Sequence, residues 1–88
     1  MKIVREHTLG LDEARSRVDK IAAELGGKLN LTYRWQGDHL EVSGTGVSGR
    51  IIVEDTWVEV HVQTGLAMMM FRESIRSAIE GSIDHYID

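Results

Sequence analysis

Residues 32–43 read Thr32-Tyr33-Arg34-Trp35-Gln36-Gly37-Asp38-His39-Leu40-Glu41-Val42-Ser43. Apolar and polar side chains alternate on either side of Gly37-Asp38, the pattern of two half-buried strands joined by a tight turn. Folding the stretch about that dipeptide sets Trp35 opposite Leu40 and Tyr33 opposite Val42 on one face. The other face then pairs Arg34 with Glu41 and Thr32 with Ser43. A second turn at Thr45-Gly46 pairs Leu40 with Ile51 and Glu41 with Arg50; a third at Asp55-Thr56 pairs Val53 with Val58 and Ile51 with Val60. All these hairpins assign the same residues to the same faces. The result is an antiparallel meander with one dry face and one wet face, the wet face crossed by the row Arg34, Glu41, Arg50, His61. Slipping any hairpin by one residue would exchange the faces, so burial fixes the register. Ile52 and Trp57 fall on the wet side.

Outward from the meander the period changes. Upstream, Leu11, Ala14, Val18, Ile21, Ala22 and Leu25 share one stripe of a helix whose remaining circumference is charged. Asp12 and Glu13 lie in its first turn, where the helix dipole favours anions, and Gly26-Gly27 is expected to end it. Before it, Ile3 and Val4 among charged residues predict a strand over Lys2 to Thr8 with no buried face assigned; its place is the sheet edge beside the last strand, with pairing to residues 28–36 as the alternative. Downstream of Gly65, helical spacing returns from Leu66 to Ile87, with Met68, Phe71, Ile75, Ala78, Ile79, Ile83 and Tyr86 on one side. A helix of that length spans roughly 33 Å and overhangs an eight-residue strand of about 26 Å. The order is β-α-β-β-β-β-α, an α+β domain over residues 1–88 in two layers, with both helices on the one dry face of the antiparallel sheet.

Composition bounds the function. The 88 residues contain no cysteine, so thiolate metal sites and disulfides are excluded, and a net charge of −4 disfavours a nucleic-acid partner held through its phosphates. Lys2, Arg5 and Glu6 interrupt any apolar leader, and no run is long enough for a transmembrane segment. A cytoplasmic protein is expected. His7, His39, His61 and His85 lack the spacing of metal ligands, leaving no metal and no cofactor to assign. No serine has a histidine base beside it in this register, and Gly44, Gly46 and Gly49 precede neither a Lys-Ser pair nor a helix, so an enzyme is not expected.

The run Leu66-Ala67-Met68-Met69-Met70-Phe71 is the anomaly. Read as a helix it is apolar on every side, while the dry face of the sheet takes a single stripe. Met68 and Phe71 are expected to point with Ile75 and Ile79 toward the sheet, leaving Leu66, Met69 and Met70 as partner-binding candidates. Methionine is flexible and polarizable, which suits an adaptable apolar contact. Alternatively the first strand, the first helix or a second copy of the chain, in a homodimer joined through this helix, covers the run.

Several segments together resemble a known family: His7-Thr8-Leu9-Gly10 with Ala14, Tyr33-x-Trp35-x-Gly37-Asp38, Gly46-Val47-Ser48-Gly49 leading to Ile51 and Val53, and the long Ile-spaced C-terminal helix. The family is that of the polyhydroxyalkanoic acid system proteins, small bacterial proteins associated with storage polyester. The resemblance spans essentially the whole chain and implies a non-enzymatic accessory, granule-associated through the apolar granule surface or a granule-associated protein. It assigns no functional residues. An alternative is a small acyl-binding module, because a long helix over a curved sheet resembles a reduced helix-grip fold. Its pocket would be lined by Tyr33, Trp35, Val42, Val60 and Ile79.

Overall fold

A computed structural model describes residues 1–87. In chain order it has β1 (Lys2–Glu6), α1 (Leu11–Leu29), β2 (Thr32–Gln36), β3 (His39–Gly44), β4 (Val47–Val53), β5 (Trp57–Thr64), a 3-10 helix (Leu66–Phe71) and α2 (Arg72–Tyr86). The strands form one antiparallel sheet in the order β1-β5-β4-β3-β2, so β1 sits at the edge beside the last strand and not against residues 28–36. The hairpin registers match the pairings built from the turns, residue for residue, including the row Arg34, Glu41, Arg50, His61.

The alternation that sets the register also sets the core. Leu40, Ile51, Val53, Val58, Val60 and Val62 face the helices, and Val18, Ile21, Leu25, Ile75, Ile79 and Ile83 face the sheet; all are buried. Each Leu, Ile or Val removed from water in this way contributes about 1.5–3 kcal/mol. The two helices also touch each other in antiparallel fashion. Arg17 donates to the Tyr86 carbonyl at 2.7 Å, and the Ser82 hydroxyl donates to the Glu24 carboxylate. At the strand-to-helix corner His7 is buried. Its Nδ1 accepts from the Leu9 amide and its Nε2–H donates to the Glu54 carbonyl, both at 3.1 Å. This histidine orders the corner that follows β1, as its position in the sequence suggests.

β1 ends at Glu6 rather than Thr8, because His7 turns into the corner, and the end of α1 and the exposure of Leu11 also differ from expectation. Gly26-Gly27 does not end α1, which continues to Leu29 and closes on Asn30 in the left-handed conformation, with φ 56° and ψ 51°. The amides of Asn30 and Leu31 both donate to the Gly26 carbonyl, satisfying the last turn. Leu29 extends the apolar stripe from Leu25 by one further turn and packs against the core. That burial outweighs the roughly 0.5–1 kcal/mol that each helical glycine costs. Gly26 instead makes room: a Cβ there would lie 3.1 Å from the Leu31 carbonyl oxygen and 3.8 Å from the Tyr33 ring. Leu11, counted on the buried stripe, stands partly in solvent at the first turn of α1.

The Ser82 hydrogen bond holds the Glu24 carboxyl below its usual 4.5, and Lys28 acts in the same direction. A depressed carboxylate stabilises the fold above its unfolded-state pKa, and that contribution disappears as the pH falls through the folded value. The Ser82→Ala variant should therefore melt below the wild type at about pH 7, with the difference shrinking toward about pH 3. A constant difference across that range, read by thermal unfolding, would show that the bond is indifferent to the carboxylate's charge. At Gly27 a Cβ would meet no other atom within 4 Å. Gly27→Ala should thus stabilise the protein by about 1 kcal/mol, or roughly 4–8 °C in Tm; a loss of stability would mean that Gly27 acts as a helix stop after all.

Candidate interaction surface

The apolar run after Gly65 is built by what precedes it. The Gly65 amide donates to the Gly46 carbonyl at 2.8 Å, tying the end of β5 to the β3–β4 turn. Gly46 has φ 75°, in the left-handed region, and a Cβ there would stand 2.7 Å from Met68 Cγ. Met68 thereby drops into the space a side chain at position 46 would fill, and it packs against the core. The Met68 amide closes the first turn on the Gly65 carbonyl at 3.0 Å.

The run from Leu66 to Phe71 is a 3-10 helix rather than the first turns of α2, and none of its residues is buried. The chain passes from one helix type to the other at Phe71, where φ is −100° and ψ is 6°. With about three residues per turn, side chains stack in three columns instead of winding onto the stripe of Ile75 and Ile79. Leu66 is 92% exposed and Met70 83%, while Met69 and Phe71 are each 49% exposed. Leu66, Met69 and Met70 thus lie outside the core, and neither β1 nor α1 buries them. Phe71 is the correction: expected to face the sheet, it joins the exposed set. Its placement follows from the helix type at 66–71, which the apolar pattern of the sequence does not distinguish from an α-helix.

The residues named for an acyl pocket do not gather around one space. Val42, Val60 and Ile79 line a gap of about 40 Å³ between the sheet and the helices, against the roughly 300 Å³ or more of small-molecule sites. Tyr33 and Trp35 are elsewhere. Tyr33 lies against Gly26. Trp35 is held at the sheet edge by α1, its indole N–H donating to Asp19 at 3.1 Å and its ring lying 4.5 Å beneath the Arg15 guanidinium.

On the wet face His61 and Glu59 are 3.2 Å apart, and His39 and Glu41 3.6 Å. The hydrogen bond from His61 holds the Glu59 carboxyl below its ordinary value, with the Trp57 indole helping. Among the described residues no group of three or more His, Asp or Glu side chains is arranged to hold a metal ion. Among the same residues no helix is long and apolar enough to cross a membrane.

The model of the family described as "Putative polyhydroxyalkanoic acid system protein" matches residues 1–87. The chain belongs to this family. Membership connects it with polyhydroxyalkanoate, as the quoted turns and the Ile-spaced helix imply. No curated protein and no solved structure matches it. The family match covers the 3-10 helix and its anchor on Gly46 together with the rest of the fold.

That anchor is open to test. Gly46→Ala forces a side chain into the left-handed region and against Met68, and should cost about 1–3 kcal/mol. Chemical denaturation measures the loss. Stability equal to wild type would mean that Met68 is not seated on Gly46.

Proposed function

We propose that this protein is a non-enzymatic accessory of polyhydroxyalkanoate metabolism that docks on the storage granule in the cytoplasm through Leu66, Met69, Met70 and Phe71. The observation that carries the reading is the exposure of these four side chains on consecutive turns of a short helix, Leu66 at 92% and Met70 at 83%. Contiguous apolar surface of this kind on a small domain marks an interaction site, and methionines adapt to surfaces without fixed shape. Family membership supplies the polyester context. The 40 Å³ gap beneath α2 gives no support to a carrier of acyl chains.

Replacing Met69 and Met70 together with Glu should leave folding intact, because both side chains are outside the core. Binding to isolated polyhydroxyalkanoate granules should fall at least about tenfold, since each buried methionine is worth roughly 1.5–3 kcal/mol. Co-sedimentation with granules, alongside circular dichroism, provides the measurement. A folded double variant that sediments as the wild type does would defeat the proposal.

A further inference from the structure

The sheet has two edges, β1 and β2. Along β1 the ladder to β5 uses alternate residues. Met1 and Val62 exchange both backbone bonds, at 3.0 and 2.9 Å, and the His7 amide donates to the Thr56 carbonyl at 2.9 Å. Bonded pairs in an antiparallel ladder recur at every second residue. Ile3 and Arg5, opposite Val60 and Val58, therefore turn their backbone groups toward β5, and Lys2, Val4 and Glu6 turn theirs outward. The same three residues carry their side chains on the wet face, where Lys2 and Glu6 are exposed and Val4 is 49% exposed.

We infer that this edge pairs with the same edge of a second copy of the chain, antiparallel about a two-fold axis through Val4. In that register Lys2 lies opposite the partner's Glu6, Val4 opposite the partner's Val4, and Glu6 opposite the partner's Lys2. All of these are bonded pairs, because the outward backbone groups belong to these residues, so the amides and carbonyls that β1 leaves unused find partners. Facing side chains stand about 4.5–5.5 Å apart at Cβ. Two pairs of opposite charge thus flank an apolar centre that covers Val4. Glu59, opposite Val4 on β5, stands one strand back from the seam and is bonded to His61 and Trp57 of its own chain. On the other face Ile3 meets the stem of the partner's Arg5, a residue whose guanidinium is held by Asp84 within its own chain.

The match selects a second copy in one register. Sliding one strand by two residues in either direction breaks both Lys–Glu pairs, and a parallel pairing sets Lys2 beside the partner's Lys2 and Glu6 beside the partner's Glu6. The β2 edge lacks this complementarity. Gln36 and His39 close their two-residue turn as a bonded pair, which leaves the backbone groups of Tyr33 and Trp35 outward. Pairing both of these with a second copy would set Arg34 against the partner's Arg34. The β1 interface is small, at the low end of specific contacts, so association depends on concentration. Met1 lies beside Val62, near the start of the 3-10 helix. The two-fold axis therefore sends the two Leu66–Phe71 segments to opposite ends of the joined sheet, and the pairing is separate from the docking reading.

Sedimentation velocity of the full chain from about 10 µM to about 1 mM tests the pairing. The wild type should move from the 9.9 kDa of one chain toward twice that mass. Lys2→Glu and Glu6→Lys each bring like charges together on both sides of Val4 and should weaken association at least about tenfold. Mixing these two variants places opposite charges at both flanks again and should recover the dimer, which a loss of fold in either variant would prevent. The Met69→Glu/Met70→Glu variant should associate as the wild type does. Circular dichroism checks the fold of each variant. A wild type that keeps the mass of one chain at every concentration, single variants that associate undiminished, or a mixture that stays monomeric would overturn the inference. Association lost in Met69→Glu/Met70→Glu and kept in Lys2→Glu would place the contact on the 3-10 helix and overturn it equally.

Discussion

The sheet has one dry face, and two helices must share it. The strands alternate, so the Val, Ile and Leu turned toward the helices are separated by residues turned away, polar except for Val4, Ile52 and Trp57, and the apolar residues cannot be redistributed without shifting the whole ladder. α1 and α2 lie side by side over that face, joined by Arg17 to the Tyr86 carbonyl and Ser82 to Glu24. Their buried stripes, Val18 to Leu25 and Ile75 to Ile83, use the available surface. Whatever apolar material the chain carries beyond this has nowhere inside to go.

The segment Leu66–Phe71 is that excess, and its structure shows how little holds it. The Gly65 amide on the Gly46 carbonyl and the Met68 side chain seated beside Gly46 fasten it to the domain. Met69 and Phe71 are half covered, and Leu66 and Met70 stand almost wholly in solvent. Leu66 and Met70 therefore contribute little to the stability of the isolated chain. Their concentration in one short segment is what makes it read as a surface for another body rather than as an unfinished core.

Much of the fold is legible along the chain because tight turns and strand alternation are local signals that constrain each other. Gly37-Asp38 fixes Trp35 against Leu40, and that pairing in turn limits where Ile51 and Val60 can lie. The end of α1 is less legible. Gly26-Gly27 has the composition of a stop, but a helix ends where its packing ends, and Leu29 still has core to meet. Phe71 is illegible for a related reason: an apolar run has the same composition as a 3-10 or an α-helix, and the two aim the sixth residue differently. Tyr33 and Trp35 share the dry face with Val42 and Val60, as the alternation requires. Gly26 and the Arg15–Asp19 pair of side chains hold them at the sheet edge, away from the gap, through contacts between segments distant in sequence.

From the sequence alone come the element order, the register and buried face of β2 to β5, and the presence of more apolar residues than one face can take. Each of these follows from spacing between near neighbours. The tertiary structure decided that the surplus becomes a 3-10 helix held on Gly46, that the space beneath α2 closes to about 40 Å³, and that Phe71 joins Leu66 and Met70 in solvent. Those outcomes depend on which turns meet at the same end of an antiparallel sheet. That is a matter of distances through space, which the linear pattern of charges and apolar residues leaves open.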